Sequence, residues 1–137
     1  MYKSAKVRMN LQVIPWRKKH LDPLVYQRLK KATALLLDEV RTEVSKPGPE
    51  PSKPGEPPRR QSGAYKRSLE SATDFGFGGD WAIGRVGSNS HYARRLELGF
   101  VGTDSLGRNY NQLPRPHFRP VHRRLEGRIA RIIVKGD

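Results

Sequence analysis

The sequence contains no cysteine, which removes disulfides, thiolate metal ligands and cysteine nucleophiles together and suits a reducing compartment. It is also short of acid. Thirteen Asp and Glu stand against 27 Lys and Arg, a formal charge of +14, and the field of such an excess attracts polyanions or acidic protein surfaces. Long apolar runs are missing too: no stretch approaches the roughly 20 residues that cross a bilayer. Residues 1–15 lack the continuous apolar centre of a signal peptide. The expectation is a soluble protein with no membrane partner and no export address. Hydrophobic residues make up 35% and aromatics 8%, with 11 prolines and 13 glycines, so part of the chain must be loop rather than core.

What remains suffices for one domain over residues 1–137, which at this length buries roughly two thirds of the surface its unfolded chain exposes. Val7, Met9, Leu11 and Val13 alternate with Arg8, Asn10 and Gln12, the pattern of a half-buried strand over residues 6–14 that Pro15 ends. A long helix follows over 22–45, with Asp22 as N-cap and Pro23 at the first position. Val25, Leu29, Ala32, Leu36, Val40 and Val44 form its apolar stripe. Residues 46–61 hold six prolines between Pro47 and Pro58 and read as a semi-rigid, partly extended loop.

Ser62 to Leu69 reads as a short helix or turn with Tyr65 and Leu69 on one side. Residues 72–87 form a hairpin about Gly78-Gly79, in which Phe75, Phe77, Trp81 and Ile83 would face the long helix. A glycine-rich loop occupies 99–113. The last helix, 120–135, carries Val121, Leu125, Ile129 and Ile132 on one stripe, is weakened at Gly127 and closes at Gly136. The fold class expected is therefore α+β: a small antiparallel sheet packed on a long N-terminal and a C-terminal helix, with an extended Pro-rich loop.

No constellation points to catalysis. The Gly76-x-Gly78-Gly79 segment lacks the Lys-Ser/Thr ending of a phosphate loop. His20, His91, His117 and His122 are scattered and read as surface or loop histidines, not as a metal set. Glu97 with Asp74, Asp80 or Asp104 would suit a divalent-metal nuclease, but Glu97 lacks the local company of such a site. An ion pair with Arg94, Arg95 or a neighbouring subunit is the better reading. Neither cofactor nor metal is expected. Residues 105–136 hold eight basic residues and the single acid Glu126, and Arg123, Arg124, Arg128 and Arg131 crowd the last helix. They are candidates for sequence-independent contact with nucleic-acid phosphates or for an acidic partner.

Four features in order carry a resemblance: the long first helix with its Ala32/Leu36 stripe; the Pro54-Gly55-Glu56-Pro57-Pro58 run leading to Ser62-Gly63-Ala64-Tyr65-Lys66-Arg67-Ser68-Leu69; Val86-Gly87-Ser88 followed by His91-Tyr92-Ala93 and Leu96-Glu97-Leu98-Gly99; and Pro114-Arg115-Pro116-His117-Phe118-Arg119-Pro120. Over residues 23–133 the chain resembles the head-to-tail joining and tail-completion proteins of long-tailed, siphovirus-type bacteriophages, also called minor tail or neck proteins. Ser62 departs from the usual Thr and Tyr65 from the usual Leu. The resemblance implies a non-enzymatic virion protein, made in the host cytoplasm. It would form a cyclic homo-oligomeric ring in the neck or tail, against a head-closure or connector protein and tail terminator or tail tube proteins, with genome DNA in the lumen. Tyr92, Glu97, Arg115, Phe118 and Arg119 are then candidates for the subunit interface. The alternative is a free, sequence-nonspecific nucleic-acid-binding protein, which the charge alone suggests.

Overall fold

The computed structural model describes residues 7–13, 23–46, 53–58, 63–75 and 81–137, with side chains described from residue 23 onward. The elements are β1 (Val7–Val13), α1 (Pro23–Glu43), α2 (Ala64–Ser68), β2 (Leu69–Phe75), β3 (Ala82–Ser88), α3 (Ala93–Leu98), β4 (Phe100–Thr103), β5 (Asn109–Gln112) and α4 (Phe118–Lys135). The fold is α+β, with a three-stranded antiparallel sheet in the order β1-β3-β2 and a separate β4-β5 pair. Asp22, Phe77, the Gly78-Gly79 turn and most of the Pro-rich loop lie outside the described residues.

β3 is central because both partners register on it. Val7, Met9, Leu11 and Val13 pair with Ser88, Val86, Gly84 and Ala82, while Leu69 and Phe75 of β2 pair with Ser88 and Ala82. Its buried positions are Ala82, Gly84 and Val86, with Gly87 and Ser88 at the end of the strand. Sequence reasoning gave the helix side to Trp81 and Ile83, and the structure corrects this. These two have the opposite parity and are only half-buried. The reason is the closeness of α1: a Cβ at Gly84 would stand 2.0 Å from Thr33 Oγ1, so the strand presents small residues where large ones were expected. Phe75 does share the helix side, but it stays 67% exposed and meets Tyr26 edge-on, ring centroids 5.7 Å apart.

α1 buries Leu29, Ala32, Thr33, Leu36, Leu37 and Val40, and α4 buries Phe118, Val121, Leu125, Ile129 and Ile132, in one continuous core with Leu69 and Val86. The two helices run antiparallel. Arg28 Nη1 reaches Val134 O at 2.8 Å and Lys31 Nζ reaches Gly136 O at 3.0 Å, so the N-terminal half of α1 holds the C-terminal carbonyls of α4. At the other end Arg124 bridges Glu43 and Glu39 at 2.9 and 3.1 Å. Burial works against the Glu43 charge, and the hydrogen bonds from Arg124 and Lys46 outweigh it, holding its carboxyl below the ordinary range. The α4 stripe and the Gly136 close are as expected, the Gly136 amide donating to Ile132 O at 2.8 Å.

Residues 99–113, expected as a loop, contain a hairpin. Its strands have four residues each, FVGT and NYNQ, too short for an alternation of the usual length to announce them. A single side chain shapes the turn: Asp104 Oδ1 accepts from the amides of Leu106 and Arg108, both at 2.9 Å, and Oδ2 from Arg108 Nε at 2.6 Å. On the face toward α3, the Arg95 guanidinium lies 4.1 Å from the Phe100 ring centroid and 5.5 Å from that of Tyr110. Part of the Pro-rich loop docks beside it, Gly55 N donating to Pro114 O at 2.9 Å.

Candidate functional site

α4 begins without a cap of its own, since His117 at its N-cap makes no side-chain hydrogen bond to the helix amides and the first turn holds no acid. Its orphan N–H groups are satisfied from a distance. α3 carries Glu97 to this point, buried to 8% exposure. Its Oε2 accepts from the amides of His117 (2.8 Å) and Phe118 (3.1 Å), and its Oε1 from that of Arg119 (3.0 Å). The carboxylate thus stands at the positive end of the helix dipole with three donors aimed at it. Backbone geometry fixes its position: Arg115 N donates to Leu96 O at 2.6 Å, and Gly99 leaves α3 at φ 76°, where a Cβ would meet Gln112 O at 2.7 Å.

His117 is fully buried beside it. Its Nδ1 stands 2.9 Å from Arg115 O and 3.1 Å from Glu97 Oε2, while Nε2 faces the Tyr65 hydroxyl. These partners assign the proton to Nδ1, with Nε2 accepting from Tyr65. Burial pushes the imidazole below its ordinary value, against the carbonyl of Arg115 and the charge of Glu97. Burial, followed by the charge of Glu97, pushes the Tyr65 phenol up. Tyr65 continues the contact to Tyr92, ring centroids 5.6 Å apart, and Ser68 Oγ shares a hydrogen bond with Ser88 Oγ at 2.7 Å. The result is a polar junction among α2, the end of β3, α3 and the start of α4, in which the Glu97 carboxylate is held by backbone amides.

Several expectations change here. Glu97 was read as an ion-pair partner of an arginine or of a neighbouring subunit; its oxygens instead cap a helix of its own chain. Phe118, offered as an interface anchor, is 1% exposed and belongs to the core. His117, read as a surface or loop histidine, is buried. Tyr92 is half-buried against Tyr65 and His91. Arg115 is half-buried, with Nη1 3.4 Å from Leu113 O, and Arg119 is exposed. Arg123, Arg128 and Arg131 are exposed along α4, whereas Arg124 is held by Glu39 and Glu43. Sequence reasoning missed Tyr65 and His117 as a pair. The signal was the placing of a histidine between Pro116 and the first buried residue of α4.

Among the described residues no group of three or more His, Asp or Glu is placed to hold a metal ion, and no helix is long and apolar enough to cross a membrane. Comparison of the chain with protein-family models, with curated proteins and with solved structures returns no match.

Proposed function

We propose that the chain is a structural, non-catalytic subunit of a phage neck, one copy of a cyclic ring that joins the head connector to the tail around the DNA channel. The observation that carries this reading is a convergence. Three of the four features of the resemblance, residues 62–69, 86–99 and 114–120, meet in the Tyr65–Ser88–Glu97–His117 junction, which supports reading them as one packing unit. The outer surface suits a protein that works by contact. Val101 and Leu106 are 78% and 75% exposed, and Leu98 and Leu113 are each 51% exposed, an apolar display on and beside the β4-β5 hairpin of the kind that marks association. One heterologous patch used repeatedly closes a ring.

Deleting the gene from the phage that encodes it should leave filled heads and tails unjoined; normal joined virions would refute the reading. The second reading, a free nonspecific nucleic-acid-binding protein, is favoured by the exposed arginines of α4. Tight salt-dependent binding by a monomer that virion assembly does not need would select it.

A further inference from the structure

We infer that the exposed side of α4 is a binding surface for the phosphate backbone of duplex DNA, built by Arg123, Arg128, Arg131 and Lys135, and that Arg124 is not part of it. This deepens the ring reading by naming the surface that meets the channel's DNA, yet it stands on the charge geometry of the single chain.

Arg124, Arg128, Arg131 and Lys135 follow one another at spacings of four, three and four, so they line one flank of the helix. Arg119 and Arg123, four apart, form a neighbouring row. All six side chains are exposed. From Arg119 to Lys135 the helix rises about 24 Å, the length of about seven phosphate steps along one strand of a duplex. Where the two rows come together the helix has Gly127 and Ala130. A Cβ at Gly127 would meet nothing within 4 Å, so packing gives no reason for glycine there, and the low ridge lets a bulky backbone lie between the arginines.

Charge separates the members of the row. Arg124 is neutralised by Glu39 and Glu43, and these hydrogen bonds hold its guanidinium charge more firmly than usual. Among the described residues, Arg123, Arg128, Arg131 and Lys135 make no ion pair with an acidic side chain. The only acid on α4 is Glu126. Like charges at helical spacing repel and destabilise the helix that carries them, and a surface serving only solubility would interleave acids. Guanidinium groups match phosphate with two parallel hydrogen bonds and keep their charge at any working pH. The row sets charges along a line, without the aromatic interleaving that single strands use, which selects the duplex.

The test is fluorescence anisotropy of a labelled mixed-sequence duplex of about 25 base pairs, titrated with the full chain over a series of salt concentrations. Four proteins are compared: wild type, the triple variant Arg123→Ala/Arg128→Ala/Arg131→Ala, a charge-matched control, Lys30→Ala/Lys53→Ala/Arg94→Ala, and Arg124→Ala. Thermal melts first establish that each is folded. Each lost phosphate contact removes about 0.9 from the slope of log affinity against log salt, so the α4 variant should lose about 2 to 3 from it. The control should keep most of the slope, and Arg124→Ala should keep all of it. Equal losses in the α4 variant and the control, or an unchanged slope in the α4 variant, would overturn the assignment. So would an α4 variant that keeps duplex binding but loses binding to polyglutamate, since the face would then dock an acidic protein. Ring formation, read separately from solution mass, tells failure of this surface apart from failure of the neck reading.

Discussion

Replacing Glu97 should weaken the isolated chain substantially, because its carboxylate closes a helix of its own chain. In Glu97→Gln the amide oxygen can take the place of Oε2 and keep the His117 and Phe118 donors. The amide nitrogen then confronts the Arg119 N–H, now 3.0 Å from Oε1, and one buried donor is left without an acceptor. That orphan costs about 1–3 kcal/mol, and losing the negative charge at the helix N-terminus adds about 0.3–2 kcal/mol. A total of about 1–5 kcal/mol is expected, and more for Glu97→Ala, which orphans all three amides. Urea unfolding at pH 7.5 reads this as a lower midpoint at an unchanged slope, with Ala below Gln and Gln below wild type. A Gln variant within about 0.5 kcal/mol of wild type would refute the capping account. It would also return Glu97 to a role across a subunit boundary, since an intersubunit ion pair leaves the stability of the separate chain unmoved.

Gly84→Ala should destabilise the fold, because its Cβ would stand 2.0 Å from Thr33 Oγ1. Adding Thr33→Ala should restore part of the loss, a coupling that a double-mutant cycle measures. Gly127→Ala has open space around its Cβ and should stabilise α4 by up to about 1 kcal/mol, raising the melting temperature by about 3–5 °C; a drop would mean that glycine has a packing role there. For His117 the folded value lies below the unfolded one, so the unfolded chain takes up the proton first. Stability should be full above about pH 6.5 and fall as the pH drops below it. Unfolding free energies across pH 5–8 check this, and His117→Gln should flatten that part of the profile.

α1 and α4 were legible because each carries a stripe long enough to rise above local noise, Leu29 to Val40 in α1 and Val121 to Ile132 in α4, whereas the six residues of α3 are too few to show one. β2 and β3 were legible from the Gly-Gly pair between two alternating runs. Which face of β3 turns inward was not. Side-chain size suggested Trp81 and Ile83, and only the approach of Thr33 to Gly84, a tertiary fact, reverses it. β4 and β5 were invisible because Asp104 shapes their turn through side-chain to backbone hydrogen bonds, which hydropathy does not record. The junction was half-legible. Its segments stood out as motifs, but a carboxylate that caps a helix 20 residues further on leaves no local pattern, so Glu97 was given an arginine as partner.

That remote cap also sets an order for folding. Tyr65, Glu97 and His117 close on one another over sequence separations of 20 and 52 residues, so a nascent chain ending before His117 lacks the amides that Glu97 accepts from and the ring nitrogen that Tyr65 faces. The junction is therefore complete only once His117 has been made, and the first amides of α4 find their acceptor only with α3 in place. A fragment ending within the β4-β5 hairpin would keep β1, β2 and β3 paired beside α1 at most, with its polar groups still in water.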